Sequence, residues 1–254
     1  MFFDGTLNNR VNIEEREGDT PIYKENKTID ANSYDNGRTN IAIMEPHVEE
    51  TADKYDFFHK AYIGGQGAIS LKKDSKVGYG AGGGISGVAD RAEEGVKKAV
   101  QLISKEIDRS KFYIEKLTLD VFGFSRGAAT ARYAIHLLLT GDTENYRYPI
   151  IQRLRDRGYE CSQSVAEVCF AGLYDTVLSY YGSQYLPFTS NVLEQKSVAR
   201  AQKALHLAAA EEHRRDFPLH NIKSAGEKGE EYFLPGVHSD VGGSYNLANE
   251  KEGN

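Results

Sequence analysis

The stretch that decides the fold is Leu117-Thr118-Leu119-Asp120-Val121-Phe122-Gly123-Phe124-Ser125-Arg126-Gly127-Ala128-Ala129. Leu117–Phe122 is a short apolar run rich in β-formers and is predicted to be a strand. A helix over Arg126–Leu139 follows at once. Between them lies Gly123-Phe124-Ser125-Arg126-Gly127, a G-x-S-x-G pentapeptide in the strand–turn–helix setting that gives this otherwise weak pattern its meaning. A serine on such a sharp turn projects its hydroxyl above the sheet edge, and flanking glycines leave room for the turn. The plain alternative is a serine that only caps the helix.

Outward from this centre, residues 1–4 read as the end of a strand, and 10–38 as a long polar loop. A helix is predicted from Thr39 to about Ala52, with Pro46 inside it. Tyr55–Ile63 is a strand candidate and Val88–Ile107 a helix with apolar residues at helical spacing. Val165–Leu173 reads as a buried strand, Ser197–His213 as an amphipathic helix, and Glu231–Leu234 as a short strand. Alternating strands and helices predict an α/β fold: an α/β-hydrolase-like, mainly parallel central sheet with helices on both faces. One domain over 1–254 is expected. Because the chain begins inside a strand and stops soon after its last motif, it reads as a fragment of a larger protein.

Composition narrows the classes. With 31 Lys+Arg against 37 Asp+Glu the formal charge is −6, which argues against a nucleic-acid surface. An apolar content of 40% supports a core rather than disorder. No apolar run approaches the ~18 residues of a membrane-spanning helix. No signal peptide is recognisable, so the expected place in the producing cell is the cytoplasm. Cys169 reads as a buried free thiol, with a disulfide to Cys161 left open. No zinc-ligand spacing occurs, and neither a metal nor a cofactor is expected.

A serine nucleophile needs a base, held in turn by an acid. In the hydrolase order Ser, acid, His, the base follows Ser125. His47 and His59 precede it. His136, His206 and His213 fall within predicted helices, and His220 lies in a loop without further signal. His238, in the Gly-rich loop His238-Ser239-Asp240-Val241-Gly242-Gly243 after the last strand, is the candidate base. Asp175, at the end of the strand Val165–Leu173, is the candidate acid. Asp240 is its rival, but is expected to accept backbone N–H bonds of its own loop. The Arg126 N–H, at the helix N-terminus, is a candidate oxyanion donor.

Four blocks in order resemble the α/β-hydrolase domain of type VI secretion phospholipase effectors and a related, broader bacterial and fungal family. They are Phe2-Phe3-Asp4-Gly5-Thr6-Leu7-Asn8-Asn9, Gly123-Phe124-Ser125-Arg126-Gly127-Ala128, Gly172-Leu173-Tyr174-Asp175-Thr176-Val177 and Pro235-Gly236-Val237-His238-Ser239-Asp240-Val241-Gly242-Gly243. A weaker fifth is Tyr62-Ile63-Gly64-Gly65-Gln66-Gly67. The resemblance implies a Ser125–Asp175–His238 triad, the same three residues, and a first block lining the site. Gly5 or Thr6 would then give the second oxyanion N–H. It also implies hydrolysis of phospholipid esters in rival bacteria, delivery by type VI secretion to the target-cell periplasm, a secretion-apparatus carrier, an immunity protein and peripheral membrane contact. Effector members carry further C-terminal material associated with membrane binding, which this chain lacks. An esterase of small soluble esters, or a non-catalytic pseudo-hydrolase that binds lipid or protein, therefore stands as an alternative.

Three weaker signals complete the reading. Tyr180, Tyr181, Tyr185 and Phe188 form an aromatic segment after Asp175, either a packed surface loop or an acyl-chain wall or lid. Gly82-Gly83-Gly84-Ile85-Ser86-Gly87 matches G-x-G-x-x-G, but without the preceding apolar strand of a dinucleotide site. Asp4 and Asp240 together are a thin ligand set for a metal.

Overall fold

A computed structural model describes residues 1–27, 32–49, 55–75, 87–142, 144, 147–162, 166–178 and 194–245. Among these residues six parallel strands form one sheet, β1 (Phe2–Phe3), β2 (Tyr62–Ile63), β3 (Leu117–Phe124), β4 (Ala166–Tyr174), β5 (Lys203–Ala209) and β6 (Gly229–Leu234), in the order β2-β1-β3-β4-β5-β6. The chain leaves β1 to one side for β2 and returns to its other side for β3. This reversal of direction is a topological switch point, and it opens a crevice at the carboxyl ends of β1 and β3.

Side chains alternate across the sheet. Phe3, Ile63, Val121 and Leu173 face a large apolar cluster, and Phe2, Tyr62 and Phe124 a smaller one on the opposite face. The large face is covered by α4 (Val88–Glu106), α5 (Arg126–Leu139) and α6 (Ile150–Asp156). On α4 the buried positions Val88, Ala92, Val96, Ala99, Val100 and Ile103 recur every three or four residues, as a helix needs to present one stripe. Ala128, Ala129 and Ala131 keep α5 thin enough to press on the strands. The smaller face is covered by α3 (Asn40–His47), through Ile41 and Ala42.

The expected mainly parallel sheet with helices on both faces is thus the observed one, but several local readings change. Residues 10–38 hold α1 (Arg10–Glu17) and α2 (Pro21–Asn26). Neither has an apolar stripe, which is why periodicity missed them. Their ends are fixed by capping: Asn9 accepts the Val11 N–H, and Thr20 accepts that of Tyr23 with Pro21 opening the helix. The predicted helix Ser197–His213 is a 3₁₀ turn, Gln195–Arg200, followed by β5. Its alanines favour a helix locally, but Ala204, His206 and Ala208 are buried alternately between β4 and β6, and the strand ladders override that preference. Only Tyr62–Ile63 of the candidate 55–63 strand is paired. Helix α3 closes just past Pro46. Both cysteines are free and half-buried; Cys169 lies on the side of β4 shared with Glu167, which accepts its thiol.

The glycines of the pentapeptide are fixed by close approach. A Cβ on Gly123 would overlap the carbonyl of Gly127, and one on Gly127 would overlap the carbonyls of Phe3 and Asp4. Backbone cannot give way as a flexible side chain can. Gly127→Ala is therefore expected to cost about 3 kcal/mol or more, lowering the thermal midpoint by roughly 10 °C, as differential scanning calorimetry would register.

Candidate active site

The sheet register brings the candidate residues to one edge. Phe124 of β3 pairs with Tyr174 of β4, so Ser125 and Asp175 leave neighbouring strands side by side. Ser125 has φ 59° and ψ −129°, and its side chain makes no capping hydrogen bond to α5. A non-glycine residue in that conformation is strained, and the helix-cap alternative is thereby set aside. Its backbone is held by its N–H to the Tyr174 carbonyl at 2.9 Å and by the Ala128 N–H to its own carbonyl at 3.0 Å.

Asp175 and His238 meet directly. The Nδ1 of His238 lies 2.5 Å from Oδ2 of Asp175, with both side chains buried. The other carboxylate oxygen of Asp175 accepts the Ala209 N–H at 2.9 Å, and its own N–H donates to the Leu207 carbonyl at 2.7 Å. One carboxylate oxygen is thus fixed to β5 while the other faces the imidazole. Asp240 does not approach it: its Oδ2 accepts the Val237 N–H at 2.7 Å. His238 begins a short helix, α7 (His238–Gly242), instead of lying in an open loop, because Asp240 closes that first turn back on Val237.

Several residues that hold the site were not singled out from sequence. The His238 N–H donates to Glu212 at 3.2 Å, and Glu212 receives a two-pronged contact from Arg214 at 2.9 and 2.7 Å. Arg214 holds the Glu212 carboxyl down at about 2. Its guanidinium also lies over the Phe217 ring, which meets the His238 ring edge-on at 4.8 Å, while Phe124 packs at 4.6 Å. The misread helix over 197–213 concealed this support.

Beneath Asp175, the buried His206 accepts the Thr176 N–H on Nε2 at 3.0 Å, so its Nδ1–H donates to Glu231 at 2.7 Å. His206 stands on a strand and His213 outside any helix, contrary to their expected places. Arg132 donates to the carbonyls of Asn221 and His220 at 2.9 and 3.0 Å.

The first block forms the opposite wall. Asp4, buried, accepts the Gly5 N–H and the Thr39 hydroxyl at 2.7 Å on one oxygen, and the Tyr62 hydroxyl at 2.5 Å on the other. Burial raises its carboxyl to about 6. The Gln66 amide of the fifth block donates to Thr130 at 2.6 Å, and its carbonyl accepts the Leu7 N–H at 3.0 Å. This one residue joins the first-block turn to the elbow helix. Among the described residues the N–H groups of Thr6 and Arg126 meet no acceptor, whereas that of Gly5 is engaged by Asp4. Tyr180, Tyr181, Tyr185, Phe188 and most of the 82–87 glycine run lie outside the described residues.

A six-stranded parallel sheet, a strained serine between strand and helix, and a buried Asp–His pair at the same edge make the chain α/β-hydrolase-like. Comparison with known proteins agrees and is more specific. Residues 139–253 match the family model described as T6SS, Phospholipase effector Tle1-like, catalytic domain. That span contains Asp175 and His238 and begins after Ser125. The fold is similar to that of the Tle1 effector in a structure bound to the VgrG spike of the type 6 secretion system, with 26% identity and a TM-score of 0.59. The match covers 96% of this chain and 50% of that one, so the chain spans about half the length of that effector. A weaker likeness, to an uncharacterized protein from Pseudomonas aeruginosa, has 24% identity and a TM-score of 0.36 over 61% of this chain and 23% of that one, and carries no argument. No curated protein matches. The chain thus resembles the α/β-hydrolase domain of type VI secretion phospholipase effectors.

Two measurements follow from the geometry. Asp175→Asn is expected to lower kcat by about 10⁴, since the imidazole would lose its orienting acceptor, while Asp240→Asn should chiefly lower the thermal midpoint. Steady-state kinetics and melting curves on both variants would separate the roles. The second concerns pH. Burial, then Arg132, hold His206 well below its usual 6.5, and likewise draw His220 to about 4. Between 6.5 and about 4 the unfolded chain binds protons that these folded imidazoles refuse, so stability falls as pH falls through that window. Asp4, raised to about 6, opposes this only below 6 and with one group against two. The thermal midpoint should therefore drop from pH 7 to 4.5, and less steeply in His206→Gln, as a pH series of melting curves would reveal.

Proposed function

We propose that the chain is a serine esterase that hydrolyses carboxylic ester bonds of membrane phospholipids, with Ser125, Asp175 and His238 as its triad. The observation that carries this reading is the buried Asp175–His238 contact at the sheet edge where Ser125 stands strained and uncapped. The Ser125 hydroxyl attacks the ester carbonyl as His238 Nε2 takes its proton. Asp175 keeps the Nδ1–H tautomer and steadies the imidazolium. The tetrahedral oxyanion is held by the N–H groups of Arg126 and Thr6. Of the two first-block candidates Thr6 is preferred, because Gly5 already donates to Asp4. Imidazolium then protonates the departing alcohol oxygen, and water, deprotonated by the same imidazole, releases the fatty acid from Ser125.

The phospholipid substrate rests on the Tle1-like match and the structural likeness to that effector. On the same basis the chain acts as an antibacterial effector, carried by a component of the secretion apparatus, delivered to the target-cell periplasm and neutralised in the producer by an immunity protein. Among the described residues no helix is long and apolar enough to cross a membrane, so contact with the lipid surface is peripheral.

The test compares phospholipid vesicles with short p-nitrophenyl esters. The parent is expected to release fatty acid from the vesicles, and Ser125→Ala to fold normally with kcat down on the order of 10⁶. Turnover of p-nitrophenyl esters alone would make it an esterase of small soluble esters. Binding to vesicles without turnover of either substrate would make it a pseudo-hydrolase.

A further inference from the structure

Arg126 places a cation where the structure gives it little support. It is the first residue of α5, at the positive end of the helix dipole. Its side chain is partly buried, and burial lowers its guanidinium to about 10, with no neighbouring charge opposing that shift. Its Nε–H donates to the Thr6 hydroxyl at 2.7 Å. Among the described residues its two terminal nitrogens meet no carboxylate and no carbonyl. Arg132, one turn and a half along the same helix, is different: its terminal nitrogens reach two carbonyls and the Thr176 hydroxyl, and Glu231 supplies a charge. A desolvated cation without an anion is costly. In Arg132 the fold meets that cost; in Arg126 it leaves a planar two-pronged donor open beside the nucleophile.

The position has a chemical logic. Asp175 and His238 approach Ser125 from the β4–β6 side. Arg126, tied to Thr6, holds the β1 flank, toward the switch-point crevice. An ester bound with its carbonyl at Ser125 would present the substituents of its alcohol portion within one side-chain length of this guanidinium. In a glycerophospholipid the phosphodiester is a few bonds from the scissile ester, and a guanidinium fork matches two phosphate oxygens.

We propose that the Arg126 side chain recognises the substrate's phosphate and selects phosphate-bearing acyl esters over neutral acylglycerols. This rests on the phospholipase reading and deepens it. The role is separate from that of the Arg126 N–H, which acts on the oxyanion whatever the substrate.

The test measures kcat/KM on phosphatidylcholine, phosphatidylglycerol and diacylglycerol with the same acyl chains, in the same detergent micelles. The parent is expected to favour both phospholipids over diacylglycerol. Arg126→Gln should reduce that preference about 30-fold, the size of a lost hydrogen-bonded charge contact, and alike for both headgroups because they share only the phosphate. Arg126→Lys keeps the charge but loses the fork and should fall between. Thr6→Val, which removes the anchor while keeping the guanidinium, should also reduce the preference, and carries the test if Arg126→Gln does not fold. Loss of activity by the same factor on all three lipids would overturn the proposal and leave Arg126 a support of the elbow. A drop confined to phosphatidylglycerol would overturn it in favour of headgroup recognition. Turnover of diacylglycerol but of no phospholipid by the parent would instead overturn the substrate reading beneath it, and turnover of no ester the hydrolase reading itself.

Discussion

The structure depends on the forced conformation of Ser125. Its φ of 59° and ψ of −129° lie where a side chain is strained, and the residue cannot relax because its surroundings are backbone. Gly123 touches Gly127, and Gly127 touches the carbonyls at the end of β1. Any larger residue at either position would push α5 off β3 or β1 off both. The strain at Ser125 and the tight packing of β1, β3 and α5 are therefore one constraint. It leaves the hydroxyl free of a helix-capping bond and close to the carboxyl ends of the strands, at the switch point of the sheet.

Around this rigid centre the site is held by buried polar groups, each tied to backbone from a different part of the chain. Asp4 fixes the first-block turn through Gly5, Thr39 and Tyr62. Gln66 ties that turn to α5. On the other flank, Asp175 is bound to β5, His238 to Glu212, and the segment after Asp175 to His206. A buried carboxylate or imidazole is tolerated only with such partners. The same partners prevent it from adopting other rotamers, so the scaffold that satisfies them also orients the site. Arg126 stands apart from this pattern, and the departure points to a ligand rather than to stability.

Much of this was legible in the sequence, for physical reasons. The run Leu117–Phe122, the pentapeptide and the alanine-rich helix after it state a strand–turn–helix with no local conflict. Asp175 and His238 were legible because strand ends are where a parallel sheet presents chemistry, and the structure does bring the two together. What failed was local preference set against tertiary context. Lys203–Ala209 carries alanines and leucines that suit a helix, and only strands on both sides make it β5. With that segment misplaced, the roles of His206 and Glu212 were invisible. Helices α1 and α2 were missed because they have caps without an apolar stripe; Asn9, Thr20 and Pro21 were the available signal. Contacts such as Gln66 to Thr130 join residues far apart in the chain, and no spacing rule discloses them.

The most direct test of the central claim is to find the atom that reacts. The chain would be treated with a fluorophosphonate carrying a long alkyl group, digested, and the modified peptide sequenced by tandem mass spectrometry. A serine activated by His238 in the elbow should be phosphonylated at Ser125 alone, at a rate that falls when Asp175 is replaced by Asn. Modification at another serine, or a rate at Ser125 no greater than in the unfolded chain, would contradict the account.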